Sequence, residues 1–525
     1  MDSSSASRPA APEPQQIRVN FTTSSPDLQL PEGRTQLLVP ADIKRYGLSR
    51  VLNSESMLNT PAPIPFDFLV DGSFLRTSLA EYLRASGLSA ETAVTLQYVR
   101  SLIPPVYEAS FEHDDWVSDV DLLSETSRAG LWSTAAGVAA QDRILSASYD
   151  GLLRIWNGSG DVLATSPPSA LGGHSASPKA AKFLSASQIA SAGLDRTVRI
   201  WKYAESDDRL SGTLKPALEL HGHRAAVEAL DVHGPTGRVL SAGSDGTVGL
   251  WTTSKTAAPP APASALPPAP ASALPPAPAS ALPPGAASSS KRRKIAAASA
   301  APQRGPLSLL QPHASAASAV QFDPSDPTVG YSASRDRTLR TIDLTTARVE
   351  GTIATSHPLL ALCAFRGGGG GGNAGSTLLA AGTAARQVAI ADPRVSAAAP
   401  VVMTLRGHRN LVSCLAAAPG GAGHALVSGS HDGTCRVWDL RSARSPTAAV
   451  SGAEGVTGES AYVVERESQK GAPRRSDVPG RGAKVFGVAW DRRWGIVSAG
   501  EDRQVQINRG RDLLPATATE VAGKD

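Results

Sequence analysis

Three Gly-His pairs stand out as candidates for chemistry: Gly173-His174, Gly222-His223 and Gly407-His408. Each precedes an Asp and a Trp, respectively Asp195 and Trp201, Asp245 and Trp251, and Asp432 and Trp438. With strand serines nearby, such residues could build a Ser-His-Asp hydrolase, in which an imidazole takes the proton of an attacking hydroxyl. The repetition argues otherwise. A catalytic triad is built once, whereas a structural lock recurs from unit to unit. No P-loop, GxSxG, HExxH or EF-hand pattern occurs, so no catalytic residue is assigned. The run of six glycines at 367–372 is followed by no Lys-Ser/Thr and opens no helix, so it does not cradle phosphate. "FEHDDWVSDV" (111–120) carries His113 among acids, but its apolar and polar residues alternate as in a strand. It therefore reads as strand, not as a metal site. The three cysteines (Cys363, Cys414, Cys435) form no CxxC pair, which excludes a disulfide framework and a cysteine zinc site and fits a reducing compartment.

These residues sit in a chain of 525 residues, long enough for several domains. Hydrophobic content of 41% is ordinary, while 5% aromatic and 40 prolines indicate that part of the chain does not fold. A net charge of +4 selects no class of partner. No signal-peptide core and no long apolar run occurs, and the expectation is a soluble intracellular protein.

The elements that position the candidates are repeats. "ILSASYDGLLRIWN" (144–157), "IASAGLDRTVRIWK" (189–202), "VLSAGSDGTVGLWT" (239–252) and "LVSGSHDGTCRVWDL" (426–440) are one motif: a strand, a tight turn around Asp, and a second strand ending in Trp. "GYSASRDRTLRTIDL" (330–344), "LAAGTAARQVAIADP" (379–393) and "IVSAGEDRQVQIN" (496–508) are degenerate copies. The turn Asp falls at 150, 195, 245, 336, 432 and 502, with Ala384 in its place in the fifth copy. Two intervals exceed a period of roughly 40–45 residues. One holds tandem "PPAPASAL" repeats (259–282), the other "RESQKGAPRRSDVPGRG" (466–482). Proline-rich and polar sequence of this kind buries too little apolar area to fold. The expected fold is mainly β: a seven-bladed propeller over 102–515, with disordered inserts at about 254–305, 366–375 and 452–482, and a tail from 516 to 525. The motif resembles the WD40 family. That resemblance implies that the His, a strand Ser or Thr, the turn Asp and the Trp of each blade form a buried hydrogen-bonded set, with His174, His223 and His408 as its imidazoles.

Ahead of the propeller, and after a disordered stretch at 1–15, residues 16–101 have a different grammar. Strands are expected at 17–23 and 35–41, and a helix at 42–56 with Asp42 as N-cap and Ile43, Tyr46, Leu48, Val51 and Leu52 on one face. A hairpin at 65–75 turns on Asp71-Gly72. A short helix at 78–86 is capped by Ser78 and stopped by Gly87, and a strand follows at 93–99. This order is that of an α+β ubiquitin-like (β-grasp) domain.

Together with "IKRYGLSRVLN", "PFDFLVDGSFLRTSLAEYL", "GLSAE" and "SFEHDDWVSDV", the two modules resemble the WD-repeat ribosome biogenesis factors of the PeBoW complex. The resemblance implies a non-enzymatic role in large-subunit assembly and rRNA maturation. The propeller would dock on the block-of-proliferation WD protein, with pescadillo in the same complex, on a preribosomal particle. The ubiquitin-like domain would dock on the AAA ATPase midasin. Glu91, which follows the "GLS" turn with one residue between, would complete a Mg-type ion in the midasin adhesion domain; the chain would have no cofactor of its own. On the loop alone Glu91 reads equally as a solvated acid, and Glu81 is the rival. Lys291, Arg292, Arg293 and Lys294 read as a nuclear import signal; the resemblance implies nucleolus and nucleoplasm, with direct RNA contact left open and no membrane partner. The alternatives are a WD-repeat adaptor of a ubiquitin-ligase pathway and a Notchless-type preribosome factor. The continuation "LQYVRSLIPP" (96–105) ends in no free Gly-Gly, so the domain cannot be conjugated.

Overall fold

The computed structural model describes residues 16–31, 33–60, 62–87, 93–263, 301–367, 376–395, 401–419, 423–442, 456–470 and 482–510. The chain divides into two compact units, the first centred on residues up to Ile103 and the second beginning at Pro104.

The first unit contains β1 (Gln16–Thr22), β2 (Gln36–Pro40), α1 (Arg45–Leu52), β3 (Phe66–Val70), β4 (Ser73–Phe74), α2 (Leu79–Ser86) and β5 (Val94–Arg100). They form one mixed sheet in the order β2-β1-β5-β3-β4. β1 runs parallel to β5, and the other pairs are antiparallel. Period-two alternation turns Ile17, Val19 and Phe21 toward Leu48 and Leu52 of α1 and Leu79 and Leu83 of α2, which close the core. Asp71 (φ 48°) and Gly72 (φ 76°) make the left-handed two-residue turn between β3 and β4 that suits twisted strands.

α1 corrects the sequence reading. It starts at Arg45 with no side-chain cap, and Asp42 lies outside it. The carbonyls of Ala41 and Ile43 accept from the first N–H groups of α2, at Ala80 (2.8 Å) and Leu79 (3.1 Å). Those carbonyls are thereby committed to a second element, so the chain cannot wind before residue 45. With the start displaced, Leu48 and Leu52 face the core and Tyr46 is 75% exposed. The helix ends where the Asn53 amide donates to Ser49 O (2.7 Å) and Ile64 O (2.8 Å).

The second unit comprises seven sheets, each built on a four-stranded antiparallel meander from inside to outside, with a short fifth strand added at the outer edge of the second and fifth. Their inner strands are Val117–Leu123, Pro178–Ser185, Val227–His233, Ala317–Phe322, Leu359–Arg366, Val412–Ala417 and Val485–Asp491. Each inner strand packs on the next, and the last packs on the first, so the ring is closed. Closure is completed at the rim by β6 (Val106–Glu112), which pairs with Gln504–Arg509 as the outer strand of the last blade. The cores lie between blades: Trp201 packs with Leu145, Ile155 and Phe183 across the first and second, and Trp251 with Ile200 and Leu218 across the second and third. Side chains also stitch inner strands together. Asp119 accepts from Ala181 N (3.1 Å), Asp121 from Phe183 N (2.8 Å) and Asp231 from Phe322 N (2.9 Å). α3 (Arg128–Ala135) is inserted between the first two strands of blade 1 and sets Arg128 3.4 Å from Asp231.

Parts of the segments expected as inserts at 254–305 and 452–482 are ordered. Pro260 bridges to Arg304, and Gln303-Arg304 pair with Glu219-Leu220 at the edge of blade 2. Ser460–Glu465 is the outer strand of blade 6, antiparallel to Thr434–Trp438. Its alternation, with Val464 buried and Val463 half exposed, is hidden by polar flanks. In blade 5 the left-handed residue is Arg386, which places Ala385, not Ala384, at the turn position held elsewhere by Asp. Among the described residues no helix is long and apolar enough to cross a membrane.

Candidate functional site

The histidines named from the sequence lie at the connections that enter blades 2, 3 and 6. In blade 2, His174 Nε2 is 2.7 Å from Ser191 Oγ, His174 Nδ1 is 2.8 Å from Asp195, and Trp201 Nε1 donates to the same Ser191 oxygen at 2.7 Å. Blade 6 repeats this with His408, Ser428 (2.7 Å), Asp432 (2.9 Å) and Trp438 (2.8 Å to Ser428). The donors fix one polarity. The indole N–H donates to the hydroxyl, the hydroxyl donates to Nε2, and Nδ1–H donates to the carboxylate. Asp195 also accepts from Thr197 and from Ser175 N. Burial raises its pKa, but the His174 and Thr197 bonds outweigh this and hold it at about 2.

Blade 3 departs from the expected partners. His223 bonds Ser241 (2.6 Å) and Thr247 (2.9 Å), while Asp245 stands 3.9 Å away and receives the Thr247 hydroxyl instead. Trp251 donates to Ser241 at 2.7 Å. The Thr hydroxyl therefore relays the bond that was assigned to Asp245 directly.

These sets have the distances of a hydrolytic triad but not its access. The imidazoles of His174, His223 and His408 have no exposed side-chain surface, and each serine oxygen already holds an indole N–H. A substrate carbonyl cannot reach the hydroxyl, so the arrangement ties strands and does not attack. Among the described residues no group of three or more His, Cys, Asp or Glu is placed to hold a metal ion. The thiols of Cys363 and Cys435 are buried, and burial pushes them up to about 12 and about 11, away from nucleophilic reactivity.

In the first unit, Glu81 is engaged as the third helical residue of a capping box: its carboxylate accepts from Ser78 N (3.2 Å) while Ser78 Oγ accepts from Glu81 N (3.3 Å). The backbone bond from Ser78 holds its pKa below the usual carboxylate range. α2 ends at Gly87, which is left-handed at φ 67°, and β5 begins at Val94. Glu91, between them, lies outside the described residues, as do Lys291, Arg292, Arg293 and Lys294.

With this geometry in place, comparison with known proteins assigns both modules. Residues 17–83 match the NLE (NUC135) domain, and 165–202, 214–252 and 400–439 match the WD domain, G-beta repeat. The chain is 60% identical over 499 residues to ribosome biogenesis protein YTM1 of Chaetomium globosum, covering 95% of this chain and 97% of that one. The corresponding protein of Podospora anserina is 56% identical over 501 residues, with 95% and 97% covered. That of Aspergillus terreus is 50% identical over 519 residues, with 98% and 100% covered. The chain belongs to the YTM1 family of ribosome biogenesis proteins. The three matched WD stretches of this YTM1-family chain are the three blades that carry a Gly-His pair and a Trp.

Three further locks lack that signature. His113 Nε2 is 2.8 Å from Ser146, which also receives Trp156 Nε1 (2.8 Å); Asp150 at the turn is bonded to Arg154 instead. Burial, and then the charge of Arg154, lower His113 from 6.5 to about 4. His313 bonds Ser332 (2.8 Å) and Asp336 (3.1 Å) in blade 4, where Ile342 replaces the Trp. In blade 7 an arginine does the work of the imidazole. Arg466, almost wholly buried, donates from Nη1 to Ser498 Oγ (2.7 Å) and from Nε to Asp502 (2.9 Å). Glu112 and Pro312 replace Gly before the two histidines, α3 lengthens the span from His113 to Ser146, and the connection entering blade 7 is lengthened. Counting back from the strand serine to the nearest histidine at the common spacing would have found His313.

Proposed function

We propose that this protein is a non-enzymatic assembly factor of the large ribosomal subunit, acting in rRNA maturation in the nucleolus and nucleoplasm. The observation that carries the reading is similarity across nearly the whole chain, through both the NLE region and the propeller, to proteins named for ribosome biogenesis. The propeller suits an anchoring role. Its Ser, His and Asp side chains are consumed inside blades, so its loops and edges are what it offers to partners. In this reading the propeller docks on the block-of-proliferation WD protein, with pescadillo in the same complex. The N-terminal domain acts as a ubiquitin-like handle for midasin. There Glu91 supplies a carboxylate oxygen to a Mg-type ion, a hard cation whose incomplete shell suits such a ligand. ATP-driven pulling on the handle then releases the complex, and residues 291–294 carry the protein into the nucleus.

Affinity purification of the tagged full chain tests this. Large-subunit ribosomal proteins and pescadillo should co-purify in proportion to the bait. Recovery of ubiquitin-ligase subunits in their place would contradict the reading.

A further inference from the structure

The turn between the second and third strands of each blade ends on a left-handed residue. Blades 1, 3 and 6 use glycine: Gly151, Gly246 and Gly433, with φ of 88°, 80° and 80°. Blades 2, 4, 5 and 7 use arginine: Arg196, Arg337, Arg386 and Arg503, with φ of 64°, 69°, 68° and 63°. A Cβ disfavours this conformation, and the glycine blades make the same turn without it. The arginine side chains thus have a use outside the turn. All four are exposed, and among the described residues none of their guanidinium groups makes an ion pair or a hydrogen bond.

Topology puts them on one face. Inner strands of a closed propeller all run the same way along its axis, so every second-to-third-strand turn emerges on one side. The connection from each outer strand to the next inner strand emerges there too, and the contacts from His174 to Asp195 and from His408 to Asp432 join the two kinds of loop. Arg335 in a turn, and Arg224 and Arg409 directly after Gly-His, are therefore on the same face and are also exposed. Most of its acids are engaged, Asp115 excepted, which among the described residues accepts only from Trp116 N. Asp195, Asp432 and Asp502 are held in locks, Asp114 and Asp150 are bound by Arg154, and Glu501 by Lys484. Trp116 lies on this face as well, 38% exposed and set edge-on to Tyr149 at 5.7 Å.

We propose that this face of the propeller binds RNA, with the arginine forks on phosphate oxygens and Trp116 stacking on an unpaired base. A guanidinium presents paired N–H donors that match phosphate geometry, and an aromatic ring among such cations is how single-stranded RNA is held. The choice of RNA over an acidic polypeptide rests on the ribosome-assembly reading; the arginine geometry does not.

The purified full chain is titrated against a labelled single-stranded RNA of mixed sequence at a series of salt concentrations. Four simultaneous substitutions, Arg196→Gly, Arg337→Gly, Arg386→Gly and Arg503→Gly, should weaken binding about tenfold or more at low salt. They should flatten the slope of log K against log salt by about 3, at about 0.7 per lost phosphate contact. The melting temperature should not fall, because glycine suits the turn. Lysine at the same four positions should keep most of the slope, and Trp116→Ala should weaken binding while leaving the slope unchanged. Failure of the parent chain to bind RNA overturns the proposal. So does equal binding by the four-glycine variant, which would assign the contact elsewhere in the chain, or equal binding of polyglutamate, which would assign the face to an acidic protein. Co-purification with precursor particles is scored separately: a chain that joins them yet binds no RNA overturns the RNA face alone.

Discussion

Ser191, Ser241 and Ser428 each sit between an indole N–H and an imidazole, and at this scale one hydroxyl decides what the residues do. Because it is already bonded on both sides and sealed from solvent, it closes a strand pair. The Gly-His, Asp and Trp positions of blades 2, 3 and 6 were legible because the residue types recur at a fixed frame. The relay through Thr247 was not, since a hydroxyl two residues past an Asp looks like any strand threonine. His113 was read from the sequence only as part of a strand, having no preceding glycine to mark it as a lock, and it carries a measurable signature. Its folded pKa of about 4 lies below the unfolded 6.5, so the unfolded chain binds the extra proton between those values. Stability linked to His113 is therefore complete above pH 6.5 and is lost as pH falls toward 4. The loss amounts to about 3 kcal/mol at about 1.4 per pH unit. His113→Gln removes this term. The stability gap between parent and variant, measured by denaturant unfolding followed by Trp fluorescence, should narrow as pH drops from 7 to 4; a pH-independent gap would contradict the assignment.

The elements were legible where their periodicity is clean. β1, the β3–β4 hairpin and α2 stand within a residue or two of expectation, because alternation, an Asp-Gly turn and a Ser-x-x-Glu capping box are local signals. α1 was misplaced because its start is set by carbonyls that a later helix requires, which no local pattern reveals. The outer strand of blade 6 was lost for a related reason: its pairing partner lies on the far side of an insert. Arg466 follows directly after that strand and joins its end to the second and third strands of blade 7. Removing it strands Asp502, whose side chain is only 4% exposed. Arg466→Ala should cost about 3–5 kcal/mol of stability, the range for a buried ion pair left with one partner. Arg466→His, which rebuilds the lock of the other blades, should recover part of that loss. Equal melting temperatures for parent and Arg466→Ala would show that Asp502 does not depend on the arginine.

At the scale of the whole molecule, the ring is made in an order the chain itself dictates. β6 comes first in the propeller sequence but pairs last, with Gln504–Arg509, so the ring closes only after every blade has been supplied. Carboxylates on inner strands then cross-link neighbouring blades, leaving the outward loops, with their left-handed arginines at about 1–2 kcal/mol of backbone cost each, as the surface open to partners. The repeat frame and the two-module plan were readable from residue order. Which loops face together was not, because that follows only from closure of the ring.

In the proposed function the propeller holds the protein in the assembling particle while the N-terminal domain is the handle by which it is removed. The most direct measurement is binding of the full chain to the midasin adhesion domain, with Mg²⁺ and with EDTA, for the parent and for Glu91→Ala and Glu91→Asp. The account predicts Mg²⁺-dependent binding by the parent, weaker binding by Glu91→Asp and none by Glu91→Ala, with equal melting temperatures for all three. Undiminished binding by Glu91→Ala, or binding that survives EDTA, would contradict it.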